Sequence, residues 1–122
     1  MANYSKNGQR LHKRSELRSV ARVFPRGEMS GFEAYVKDIS RSGLGFYSKS
    51  IVEVNREVTA RLQFTNTSGK TVVESVTGRV VYSDPWEDAF FIGIEFKEII
   101  QPIKNPWLFA HVKESEFAGP PK

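Results

Sequence analysis

The sequence predicts an all-β fold: a six- to seven-stranded antiparallel barrel, with a C-terminal helix and a flexible basic N-terminal arm. Three observations predict it. Apolar and polar residues alternate with period two through most of the chain from Val20 onward. Turn signals interrupt that alternation at short intervals. The alternation gives way to another pattern only after Asn105-Pro106.

Taken in order, residues 1–9 are polar and without periodicity, which predicts disorder. Residues 20–24, 32–39 and 44–48 supply three short strands. In 57–64 the apolar set is Val58, Ala60, Leu62 and Phe64, facing away from Glu57, Thr59, Arg61 and Gln63, as in a half-buried strand. Residues 72–82 are rich in β-branched side chains, with Val76, Val80 and Tyr82 expected on one face. In 89–96 the inward set reads Phe90, Ile92, Ile94 and Phe96, with Gly93 and Glu95 opposite. Turns are expected at Pro25-Arg26-Gly27, Arg41-Ser42-Gly43, Thr67-Ser68-Gly69 and Asp84-Pro85. Closure into a barrel is favoured because it leaves no long strand edge exposed. Asn105 as N-cap and Pro106 at the first helical position start a helix that ends before Gly119-Pro120-Pro121. Leu108 and Val112 share one face of it, and the helix is expected to cover one mouth of the barrel. The organisation expected is therefore an arm over 1–17, a barrel over 18–100 and a helix with its tail over 101–122.

Composition narrows the function. A chain of 122 residues, 39% hydrophobic and 26% charged, is globular and has room for one core. No run approaches the ~18 apolar residues of a membrane span. The opening MANYSKNGQRLHKR has no apolar segment of the secretory kind. Zero cysteines exclude disulfides, thiolate zinc sites and thiol catalysis, and suit a reducing, cytoplasmic setting. The net charge is +4, but residues 1–27 carry seven cations against Glu16 alone, so the remaining 95 residues are net −2. The cationic character, and with it the expectation of an anionic partner, belongs to the arm. His12 and His111 lie far apart with no metal-ligand spacing, and no nucleophile elbow or glycine-rich phosphate loop occurs. The carboxylate pairs Glu87-Asp88 and Glu114/Glu116 read as solvated charges. No enzyme, no metal and no cofactor is expected.

Two runs carry chemistry. One is Arg10-Leu11-His12-Lys13-Arg14, an R-x-x-x-R pattern; the other is Asp38-Ile39-Ser40-Arg41-Ser42-Gly43, a D-x-S-x-x-G pattern at a strand-to-strand turn, with Arg14 and Asp38 24 positions apart. Taken singly, these read as a solvated tail and an ordinary Asx turn. In this order and spacing they resemble the PilZ domain, the bacterial receptor module for cyclic di-GMP. Gly93-Ile94-Glu95-Phe96 is similar to the ending of the last PilZ strand and Gly78-Arg79-Val80-Val81-Tyr82 to the penultimate one, so the likeness covers roughly 9–100.

The resemblance implies a ligand site of Arg10, Arg14, Asp38, Ser40 and Gly43, with Gln9 and Arg79 as weaker candidates. An arginine fork suits guanine O6/N7 or phosphate, and its plane can lie on a base. A carboxylate at Asp38 suits guanine N1–H and N2–H, Ser40 can donate or accept beside it, and Gly43 permits a positive φ and close backbone approach. Arg14/Arg18 also satisfies R-x-x-x-R, but a first strand over 19–24 favours Arg10/Arg14. Gln9 stands where some relatives have a further basic residue, which leaves one or two nucleotides per chain open. The implied function is an adaptor whose arm orders on the ligand and which regulates an effector protein in trans, in motility, biofilm or exopolysaccharide formation, or virulence. A single-stranded nucleic-acid-binding barrel is the alternative, since nine Phe, four Tyr and two Trp could stack bases. Against it stand the net-negative body and the inward positions expected for most of these aromatics.

Overall fold

A computed structural model describes residues 15–66 and 68–117. Six strands follow one another, β1 (Ser15–Pro25), β2 (Phe32–Ile39), β3 (Gly43–Ser48), β4 (Glu57–Thr65), β5 (Thr71–Trp86) and β6 (Ala89–Phe96), and helix α1 (Pro106–Phe117) ends the described chain. Round the barrel the order is β1-β2-β3-β6-β5-β4, and β4 returns to β1 to close it. All neighbours are antiparallel.

The alternation works as read. Val58, Ala60, Leu62 and Phe64 of β4 all face the core, as do Val76 and Val80 of β5 and Ile92, Ile94 and Phe96 of β6. A six-stranded barrel is narrow, so small and large residues must share each layer. Ala21 of β1 pairs with Ala34 of β2, while Phe46, Ile92 and Ile94 fill the opposite wall. Leu108 and Val112 join the same buried cluster as Leu17, Ile39 and Phe64, so α1 packs over the mouth where β1 begins.

Several expectations need correction. β1 begins at Ser15, ahead of the 20–24 run, with an irregularity in its pairing between Glu16 and Ser19. Asp84-Pro85 is not a turn: both lie in β5, Pro85 pairs with Phe90, and the reversal occurs at Glu87, whose φ is 51°. Tyr82 does not share a face with Val76 and Val80. A register shift between Val80 and Tyr82 sets Tyr82 opposite Gly93, against the outward ring of Phe91. Asn105 is the helix boundary, its carbonyl accepting the Phe109 amide, but its side chain is not the cap. Its amide donates instead to the Ser75 carbonyl, and the Glu74 carboxylate of β5 accepts the Trp107 and Leu108 amides at 2.9 and 3.0 Å. A carboxylate at a helix N-terminus is favoured by both the free amides and the helix dipole.

Candidate functional site

The D-x-S-x-x-G run forms the corner between β2 and β3. Ser40 is 1% exposed, and its Oγ accepts the Ser42 amide at 3.2 Å. The Ser40 amide donates to the Gly43 carbonyl at 2.8 Å, and the Ser42 carbonyl accepts the Phe96 amide at 2.8 Å, so the corner is tied to β6. Gly43 does not take the positive φ expected of it. Among the described glycines that conformation belongs to Gly27 and Gly69, and Gly43 enters β3 opposite Glu95.

Asp38 is 8% exposed, at a register shift between Val36 and Asp38 that sets it opposite Gly45. A β-carbon on Gly45 would stand 2.9 Å from Asp38 Oδ1 and 2.9 Å from Phe91 Cζ. The carboxylate and the ring therefore both lie over the Gly45 backbone. Gly45 pairs in turn with Gly93, where a β-carbon would stand 2.2 Å from the Tyr82 ring. A single row across the sheet thus runs Glu16, Asp38, Gly45, Gly93, Tyr82, and neighbouring side chains pack over both of its glycines. Lys37 Nζ lies 5.5 Å from the centre of the Phe91 ring.

The outer wall beside this row is aromatic, which corrects the expectation that the aromatics mostly face inward. Tyr47 and Phe91 have ring centroids 4.8 Å apart, Tyr82 lies 5.7 Å from Phe91, and the half-exposed Trp86 5.8 Å from Tyr47. Among the described residues, Phe46, Phe64 and Phe96 are the buried aromatics.

The arginines divide. Arg10 and Arg14, with Gln9, lie outside the described residues. The strand that continues from Arg14 is described, and it runs directly to the corner: Ser15 pairs with Ile39 and Glu16 with Asp38. Arg79 sits one row away, beyond Glu95, which pairs with Gly43. Its Nη1 donates to Asn55 Oδ1 at 3.1 Å and its Nη2 to Glu95 Oε1 at 3.1 Å, so this weaker candidate is engaged within the wall. Gly45, Phe91 and Lys37 were not singled out from sequence. The one local signal for Gly45 was a second glycine two positions beyond Gly43.

A family model described as the PilZ domain matches residues 8–105. The chain belongs to the PilZ domain family. PilZ proteins are receptors for cyclic di-GMP rather than enzymes, and the matched range includes the corner from Asp38 to Gly43. Among solved structures, the PilZ barrel resembles the inhibitor of motility MotI/DgrA of Bacillus subtilis, with a TM-score of 0.67 at 12% identity. That likeness covers 89% of this chain and 52% of the other, so this chain spans about half the length of MotI/DgrA, and at this identity it speaks to fold alone. A search of curated proteins finds no match. No group of three or more metal-ligating side chains gathers among the described residues, and no described helix is long and apolar enough to cross a membrane.

Proposed function

We propose that this PilZ chain is a cyclic di-GMP receptor and adaptor, in which Arg10 and Arg14 close over a ligand seated at the Asp38–Gly43 corner. The observation that carries the reading is the pairing of Ser15 with Ile39 and of Glu16 with Asp38. Arg14 is covalently next to Ser15. Arg10 is five residues from Ser15, within about 18 Å of it at full extension. Both are therefore within reach of a ligand at the Asp38–Gly43 corner. Asp38 offers the acceptor for guanine N1–H and N2–H, the Ser40 hydroxyl can donate or accept beside it, and Gly43 permits close approach to its backbone. The arginines supply fork and plane to a dianion.

In this reading the N-terminal arm orders as the ligand binds. That costs a few kcal/mol of the gross interaction, on the order of 2–5 kcal/mol. The ordered arm and the barrel wall then present a surface to an effector protein acting in motility, biofilm or exopolysaccharide formation, or virulence, within the cytoplasm.

Isothermal titration with cyclic di-GMP, beside GTP and a short oligonucleotide, tests the reading. Micromolar binding corresponds to about −8 kcal/mol, and a bidentate arginine contributes about 1–3 kcal/mol. Arg10→Ala and Arg14→Ala should each weaken binding by about ten- to a hundredfold. Unchanged affinity in both rejects the pair, and Arg18→Ala separates Arg10/Arg14 from Arg14/Arg18. The outward Tyr47, Phe91, Tyr82 and Trp86 cluster gives the single-stranded nucleic-acid reading one specific support. Salt decides between them: a strand binder loses affinity steeply with log salt, and a ligand of charge −2 does so shallowly.

A further inference from the structure

Helix α1 reaches the proposed nucleotide corner from two directions. The Arg41 guanidinium carbon, inside the D-x-S-x-x-G turn, lies 5.4 Å from the centre of the Phe109 ring, within the range of a cation–π contact. On the other side, His111 Nε2 lies 3.0 Å from the Glu16 carbonyl of β1. A carbonyl only accepts, so Nε2 carries the proton. Glu16 is the cross-strand partner of Asp38, and two residues before it stands Arg14. The lead-in to the helix is tied to the same turn, because the Ile100 amide donates to the Arg41 carbonyl at 2.9 Å.

Other contacts also hold the helix on the barrel. Leu108 and Val112 anchor it in the core, and the Glu74 carboxylate caps its first turn from β5. Phe109, itself packed against the core, and His111 also grip two parts of the chain that border the proposed site, the corner of β2 and β3 and the start of β1. We infer that Phe109 and His111 are positioning residues of the nucleotide site, holding Arg41 and Glu16 so that Asp38 and the chain bearing Arg14 face one ligand; the inference rests on the function proposed above. Linkage is reciprocal: whatever factor these contacts add to ligand affinity, the ligand adds to the docking of α1.

The test uses the full chain and cyclic di-GMP, with affinity from calorimetry and docking from amide hydrogen exchange over residues 109–113. Saturating ligand should slow that exchange several-fold. His111→Ala and Phe109→Leu should each weaken binding about three- to tenfold, the range of a modest coupling between sites. Circular dichroism confirms that each variant is folded. His111→Gln, which keeps an N–H donor at similar reach, should restore affinity to within about twofold. A purely structural role would not respond to this rescue or slow α1 exchange on binding. Unchanged affinity in both variants, or α1 exchange that is unchanged or faster with ligand, overturns the inference while the receptor reading stands. A wild-type chain that does not bind overturns both.

Discussion

A β-carbon on Gly45 would approach the Asp38 carboxylate and the Phe91 ring at 2.9 Å each, and both are side-chain atoms that can move. Gly45→Ala should therefore displace the carboxylate while leaving the barrel intact. Losing a hydrogen bond to a charged group costs about 1.5–3 kcal/mol, so cyclic di-GMP affinity should fall by about ten- to a hundredfold with little change in Tm. Gly78→Ala is the contrasting case. There the β-carbon would stand 2.3 Å from the Glu95 carbonyl oxygen, which is backbone. Overpacking of that kind costs about 1–3 kcal/mol, and thermal denaturation should show the loss. The two glycines look alike in the sequence. Only the neighbouring strand tells them apart, since Gly45 lies beneath a carboxylate and a ring and Gly78 beneath a peptide group.

Among the elements, α1 depends most on residues outside itself. Its N-terminal amides at Trp107 and Leu108 are taken by Glu74, more than thirty positions earlier on β5. Glu74→Ala should cost about 0.5–2 kcal/mol, as loss of an N-cap does, with exchange of the first-turn amides rising first. The start of β4 is fastened by charge. Glu57, at the start of β4, accepts from Lys97 at 3.0 Å and Arg26 at 3.4 Å. The hydrogen bond from Lys97, with the nearby positive charge, holds its carboxyl below the ordinary value of 4.5. A lowered carboxyl value in the folded state means that the contribution is present above pH 4.5 and is lost as pH falls through the folded value. The side-chain carbon of Glu57 should thus titrate below 4.5 by NMR, and Lys97→Met should move that midpoint upward. The strands themselves were largely legible, because period two is local. The inward set of β4 was read in full, whereas the Tyr82 register shift was not, since it answers to Gly93 on β6.

For the whole molecule, a ligand that binds only the folded barrel stabilises it by mass action. At a hundred times Kd this amounts to about 2.7 kcal/mol, which for a chain of this size raises Tm by on the order of 10 °C. Differential scanning with cyclic di-GMP should show the rise, and the Asp38→Ala chain should show little of it. Pairing of β1 with β2 places the beginning of the described chain beside a corner formed more than twenty positions later, and α1 then touches both. The amino-acid order alone determined most of the strands and most of their buried faces, the helix start and the two motifs, because each rests on spacing among near neighbours. The tertiary structure decided the rest: Gly45 opposite Gly93 beneath Asp38, Phe91 and Tyr82, the aromatics on the outer wall, Glu74 as the helix cap and the hold of α1 on Glu16 and Arg41. Those depend on register between segments distant along the chain, and alternation within a strand carries no information about which partner it will meet.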